Sequence, residues 1–308
     1  MSIAVGQFNH SVEIMFEDLH RQYWPESALY IVATPIGNLS DISLRALYTL
    51  QMVDVIACED TRSSKSLLNT YGITTTLIAA HQHNEMEASQ QIIQRLSQGQ
   101  RVALISDAGA PAVSDPGGRI VALVKQAGFD VRPIPGPSAV ITALMGSGVT
   151  DDMQPGFTFA GFIPHKTMAR QQWFEQWKQS SLAVLMFESP HRIIDSLEDL
   201  CAIYGDNRQV TIARELTKRF EQIVSLPAKA LLQWIQEDSN RQRGEFVLII
   251  SPEEKSGDNE SQNVYLDELL QVMLAQVSLK DAVKMATKLT GFSKDMVYSR
   301  ALMLKDTL

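Results

Sequence analysis

The sequence predicts an α/β fold: two α/β domains followed by a small C-terminal helical module. Short apolar runs alternate with stretches of helical period. Those runs end in loops rich in Gly, Pro and Asp. A polar run, EEKSGDNESQ at 253–262, separates the last of them from a helical tail.

Residues 1–28 carry no sustained period and read as an N-terminal extension. The run at 29–33 ends in Thr34-Pro35, as a buried strand does. Leu44, Leu47, Leu50 and Met52 suit a helix over 43–52, and 53–57 reads as a second strand. Ile92, Ile93 and Leu96 mark a helix over 85–98, stopped by Gly99. A third strand at 101–106 runs into a Gly/Pro-rich loop, then a helix over 118–127. This alternation predicts a parallel sheet covered on both faces over 29–146.

The second domain, 147–252, repeats the style less regularly. Strands fit 157–161, 182–187, 210–213 and 246–250, with 219–226 as a further candidate. Helices fit 167–179, 191–203 and 228–237. A solvated linker is expected over 253–263 and a helical, helix-turn-helix-like tail over 264–308.

A chain of 308 residues suits about two domains, and 45% hydrophobic with 20% charged residues is ordinary for a globular protein. No apolar run approaches the roughly 18–20 residues of a membrane helix, and the N-terminus lacks the basic-then-apolar order of a secretory signal. Cys58 and Cys201 stand alone, which fits a reducing, cytoplasmic compartment. A net charge of −8 argues against a nucleic-acid coat protein but leaves room for a local basic patch. Gly146-Ser147-Gly148 lacks the third glycine of a dinucleotide fingerprint because Asp151 takes its place. There is no GxxxxGK[ST] loop either, so dehydrogenase and P-loop chemistries are disfavoured.

The informative segments lie where strands run out, which is where open α/β sheets bind ligands. They are TPIGNL (34–39), EDTR (59–62), DAGAP (107–111) with SDPGG (114–118), PIPGPSA (133–139), FESPHR (187–192) and ARELTK (213–218). Pro35, Ile36 and Gly37 make a small rigid turn that lets backbone approach a ligand, or simply a β-α turn. Asp107 either faces a cationic ligand or caps its own turn. Ser138 opens a helix and fits an N-terminal cap. The acidic and basic residues of EDTR, ESPHR and ARELTK form either a structural ion-pair network or the lip of a substrate site. His81 and His83 share one face of a strand, yet no third ligand follows, so no metal is expected.

Taken together, in this order and spacing, these motifs resemble the cytidine 2′-O-methyltransferases of small-subunit (16S) ribosomal RNA, within the tetrapyrrole-methylase superfamily. The resemblance covers about 29–250, more loosely the tail, and nothing in 1–28. It implies two α/β domains with S-adenosylmethionine in the cleft between them, and a homodimer acting on 16S ribosomal RNA, within the small subunit, away from any membrane. It places cofactor contacts at Pro35, Asp107, Ala108, Gly109, Val113, Ser138, Ala139, Phe187 and Ala213. On the lip reading, Arg62, Arg192 and Lys218 would hold RNA phosphates, and Glu188 or Glu59 would receive the ribose proton.

Lys280, Lys284 and Lys288 recur every fourth residue and stack on one helix face, with Leu279, Val283, Ala286 and Leu289 expected opposite. The stripe is either an RNA-binding face or a solvated one. The rival readings are a methylase of a small tetrapyrrole and a non-enzymatic nucleic-acid-binding regulator. The first would not need the basic tail, and the second would not need the strand-end loops.

Overall fold

The computed structural model describes residues 5–152, 154–252 and 258–305. The first residues of the expected extension, the linker segment 253–257 and the tail end 306–308 lie outside the described residues. The chain divides into two compact units, 1–252 and 253–308.

The first unit opens with helix α1 (Val5–Arg21), then strand β1 (Ala28–Val32), α2 (Leu44–Met52), β2 (Val55–Cys58), α3 (Thr61–Thr70), β3 (Thr76–Ala79) and α4 (Glu85–Ser97). β4 (Val102–Ile105), α5 (Gly118–Gln126), β5 (Asp130–Ile134) and α6 (Ala139–Ser147) follow. The five strands form one parallel sheet in the order β3-β2-β4-β1-β5. Side chains alternate across it as the pleat requires. Tyr30, Val32, Ile56 and Cys58 pack with Leu50 of α2 and Leu68 of α3. Leu29, Ala57, Val102 and Leu104 pack with Ile92 and Leu96 of α4 and Ile120 and Val124 of α5.

The edge strands β3 and β5 carry no clear sequence signal. β3 has no fully buried residue, and β5 reads Asp-Val-Arg-Pro-Ile. Pro133 cannot donate to a ladder, and a strand paired on one side tolerates that. The expected extension is also more ordered than its composition suggests. Leu19 at the end of α1 is buried, and the Trp24 indole N–H donates to the Leu19 carbonyl. The Arg45 guanidinium lies 5.6 Å above the Trp24 ring.

The second sheet is built from β6 (Phe157–Phe162), β7 (Ala183–Glu188), β8 (Gln209–Arg214), β9 (Gln222–Pro227) and β10 (Phe246–Ile250), in the order β6-β7-β10-β8-β9. Only β6 and β7 are parallel; the other pairs are antiparallel, so the second half does not repeat the first. Helices α7 (Thr167–Trp177), α8 (Ile193–Tyr204) and α9 (Ala228–Gln236) cover one face, where Phe174, Leu197 and Leu231 meet Met186, Ile212 and Leu248. A buried ion pair, Arg170 to Asp199 at 2.6 Å, ties α7 to α8. The opposite face is covered by α6, whose Val140 and Ala143 share a cluster with Leu185, Ala213 and Val247. By packing, α6 therefore goes with the second sheet, although the expected boundary falls at its end, near 146–148.

The second unit has its own core. Helices α10 (Asp258–Leu274), α11 (Leu279–Thr290) and α12 (Lys294–Lys305) bury Leu266, Leu270, Val283, Ala286, Val297 and Ala301 together. α10 starts at Asp258, inside the expected linker. The Ser278 hydroxyl caps α11 by accepting from the Asp281 N–H, and Gly291 closes the helix in the left-handed conformation. Arg300 grips Asp267 with two bonds of 2.7 and 2.8 Å.

Candidate active site

The strand-end loops are tied to one another before any ligand is considered. Thr34 and Gly109 exchange backbone hydrogen bonds of 2.9 and 3.0 Å, joining the loop after β1 to the loop after β4. Gly109 sits at φ +79°, and a Cβ there would meet Ile36 at 3.3 Å. Beyond it, Ala112 and Ser114 hold left-handed backbone that side-chain-bearing residues seldom adopt. The end of that loop is anchored by Glu85, whose carboxylate accepts from the Gly117 N–H at 2.9 Å.

Between these loops and the second sheet lies a cavity of about 370 Å³. Its walls come from Ala108, Gly109 and Val113 on one side, Ser138 and Ala139 at the start of α6, and Phe187 and Ala213 from the second sheet. All the expected cofactor contacts except Pro35 and Asp107 are on this wall. Pro35 sits in the tied loop behind Ile36. The Asp107 carboxylate is exposed and accepts from the Asp60 N–H at 3.4 Å. Ser138 occupies the N-cap position of α6, but its hydroxyl makes no capping bond, so the capping role read from sequence is not the one it plays.

Asp115, Phe162 and Glu245, to which the sequence assigns no role, also line the cavity. Asp115 could have been found from the SDPGG loop. Burial pushes its carboxyl up to about 6, with help from the negative charges of Glu59 and Asp107 and against a hydrogen bond from Ser106. Burial and the Asp107 charge likewise raise Glu59, while His81 works the other way.

The two carboxylates considered for proton transfer are placed differently from expectation. Glu188 lies at the cavity edge, but its side chain is fully buried and already engaged. Oε2 accepts from the Ser196 hydroxyl at 2.5 Å, Oε1 from the Ser189 N–H at 2.6 Å, and Arg192 Nη2 pairs with Oε1 at 2.5 Å. Glu59 is not on the cavity wall.

The three lip cations also differ among themselves. Arg62 is 91% exposed and lies 3.0 Å from Asp60, whose carboxyl it holds down at about 2 by hydrogen bonding. Asp60 in turn caps α3 by accepting from the Arg62 N–H. Arg192 is mostly buried against Glu188 and Ser189, with Nη1 left without a partner. Lys218 bridges Glu215 at 2.8 Å and Glu245 at 2.9 Å; burial opposes its charge, but the two carboxylates hold the ammonium above its usual range. Gly37 makes room for it, since a Cβ there would lie 2.6 Å from Lys218 Cγ. The ion-pair reading of these motifs is thus physically present for all three, with the Arg62–Asp60 pair the exposed one.

Lys280, Lys284 and Lys288 are all exposed on α11, while Val283 and Ala286 are buried as expected. Leu289 is not; it is 69% exposed, because α11 presents a narrower apolar stripe to its partners than the sequence pattern implies. The rings of His81 and His83 stand 6.1 Å apart, and the described residues contain no cluster with the makeup of a metal site.

Residues 28–232 match the family profile of the tetrapyrrole (corrin/porphyrin) methylases, and 260–305 match the RsmI C-terminal HTH domain. The chain is 43% identical over 274 residues to ribosomal RNA small subunit methyltransferase I of Haemophilus influenzae, covering 89% of this chain and 96% of the relative. The chain belongs to that family of tetrapyrrole methylases. The relatives of the same name in Escherichia coli and Mesorhizobium japonicum are 42% and 44% identical, over 90% and 92% of this chain and 95% and 94% of theirs. Among solved structures, diphthine synthase superposes with a TM-score of 0.56 at 15% identity, covering 73% of this chain and 90% of that one. A cobalt precorrin-4 methyltransferase gives 0.54 at 18%, covering 73% and 95%. At such identities these two establish the methylase fold alone. No described helix is long and apolar enough to cross a membrane.

Proposed function

We propose that this protein methylates the 2′-hydroxyl of a cytidine in small-subunit ribosomal RNA, taking the methyl group from S-adenosylmethionine. The observation that carries the reading is similarity above 40% identity, along about nine-tenths of the chain, to relatives named for small-subunit ribosomal RNA methylation. The cofactor of these methyltransferases fits the cavity. Its volume lies in the small-ligand range of roughly 300–1,000 Å³, with mainly apolar walls and a few polar groups. The Asp115 carboxyl on the wall, with Glu59 and Asp107 nearby, suits a positive sulfonium. The uncapped start of α6 offers backbone N–H groups and the free Ser138 hydroxyl to a ligand oxygen.

S-adenosylmethionine supplies an already activated methyl, so the protein contributes position, water exclusion and field. Phe187, Ala213 and Val247 form the dry wall. Holding a ribose hydroxyl in line can supply much of the ~7–11 kcal/mol available from good orientation. Glu188 braces the wall through Arg192 and Ser196 in this reading and does not take the proton; as the methyl–sulfur bond breaks and S-adenosylhomocysteine leaves, the ribose proton passes to solvent. Arg62, with nearly all of its side chain in solvent, and the Lys280, Lys284, Lys288 stripe are the cations best placed to meet phosphate, whereas Arg192 is held by Glu188 and Ser189. A cytoplasmic homodimer working on the small subunit completes the proposal.

The test uses the purified protein, labelled S-adenosylmethionine and small subunits from cells lacking its gene. Label entering the RNA supports the reading. Label entering only a tetrapyrrole, or nothing, defeats it.

A further inference from the structure

Phe162 is an exposed ring placed by a backbone irregularity. β6 pairs with β7 in parallel, with Phe159 opposite Leu185 but Phe162 opposite Phe187. Three steps on β6 thus match two on β7, which is one extra residue, a β-bulge. Gly161 absorbs it at φ +79°. Phe157 and Phe159 point to the α6 side of the sheet, while Ala160 and Ile163 pack on the opposite face, under α7–α9. Strict alternation would send residue 162 to the face of Ala160. The bulge instead turns Phe162 onto the cavity side, beside Phe187, at a ring separation of 5.2 Å. There it stays 57% exposed.

A bulge that spends an aromatic ring on water at a cavity mouth calls for a ligand. The cavity itself is of a size for one small molecule. A nucleotide whose ribose oxygen reaches its mouth must leave its neighbours' stack, and its base then needs a new surface. Every base has a π face, and an exposed phenyl ring held edge-to-face against a second ring is suited to receive one. Building on the RNA-methyltransferase reading above, we propose that Phe162 is the platform on which the base of the target nucleotide stacks, making it a substrate-positioning residue for the RNA.

The experiment compares Phe162→Leu and Phe162→Trp with the wild type. It measures methyl transfer to small subunits from cells lacking the gene, affinity for S-adenosylhomocysteine by calorimetry, and sedimentation. Base–aromatic stacking is worth roughly tenfold or more in binding, so Phe162→Leu should raise KM for subunits by about that factor, while Phe162→Trp stays within about threefold of the wild type. Melting temperature and sedimentation should match the wild type in both, and S-adenosylhomocysteine affinity should fall by less than KM rises, because Phe162 also lines the cavity. A Phe162→Leu enzyme with unchanged KM would overturn the proposal. So would a loss of S-adenosylhomocysteine affinity as large as the rise in KM, which would make the ring a cofactor contact only, or a change in oligomeric state, which would make it a subunit contact. Absence of transfer by the wild type would count against the function proposed above and not against the role of this ring.

Discussion

Arg192, at the N-cap of α8, and Glu188, at the end of β7, form an ion pair of 2.5 Å across a four-residue turn, on the rim of the cavity and almost out of water. Both residues lie in the ESPHR motif, and each had a chemical role open to it, as phosphate ligand and as base. Their pairing uses the charge of one to stabilise the other. Breaking one side of a buried pair strands its partner, at a cost of about 3–5 kcal/mol.

Glu188→Gln should therefore act on stability first. The urea midpoint should fall by an amount corresponding to about 3 kcal/mol, with an unchanged slope. Transfer activity per folded molecule, measured below the transition, should stay within a factor of a few. A stable variant with abolished turnover would restore Glu188 as the proton acceptor.

Asp115 gives the site a pH dependence with a definite sign. Its carboxyl titrates at about 6 when folded, against 3.8 for the ordinary group. Being raised, it contributes stability below the ordinary value and loses it as pH rises through about 6. Asp115→Asn should thus gain in melting temperature over the wild type above that pH and not below it. Binding runs the opposite way, because only the ionised carboxyl attracts a sulfonium. The preference for S-adenosylmethionine over neutral S-adenosylhomocysteine should rise from pH 5 to pH 7.5 in the wild type and flatten in Asp115→Asn. Calorimetry at both pH values decides it; equal slopes would remove Asp115 from the cofactor site.

The lysine stripe of α11 is tested by salt. Replacing Lys280, Lys284 and Lys288 with Gln should weaken subunit binding and lower the slope of log affinity against log salt by up to about 2–3, since each lost phosphate contact removes ~0.7–0.9. S-adenosylhomocysteine affinity serves as the control and should not change. An unaltered slope would leave the stripe a solvated face, with Arg62 as the remaining exposed cation among the lip residues.

The central elements of both sheets were legible because they are continuous apolar runs: β4 and β10 are buried at every position. β3 and β5 were not, because an edge strand needs only one partner and tolerates polar residues and Pro133. The cavity wall was largely readable, since small residues and strand-end loops mark close backbone approach. What sequence could not show is direction and pairing. Nothing in the run Gly161-Phe162-Ile163-Pro164 announces that a bulge turns Phe162 onto the cavity side. Nothing in ESPHR tells whether its charges face a substrate or each other; that depends on Ser196, eight residues on and one helix in. Asp115 was missed because burial, not residue type, makes its carboxyl unusual.

The most direct measurement is the chemical identity of the product. RNA from small subunits labelled by the purified protein is digested to nucleosides and separated. The label should elute as 2′-O-methylcytidine and resist alkaline cleavage at that position, because the methyl blocks the ribose hydroxyl. Label on a base, or on any nucleoside other than cytidine, would contradict it.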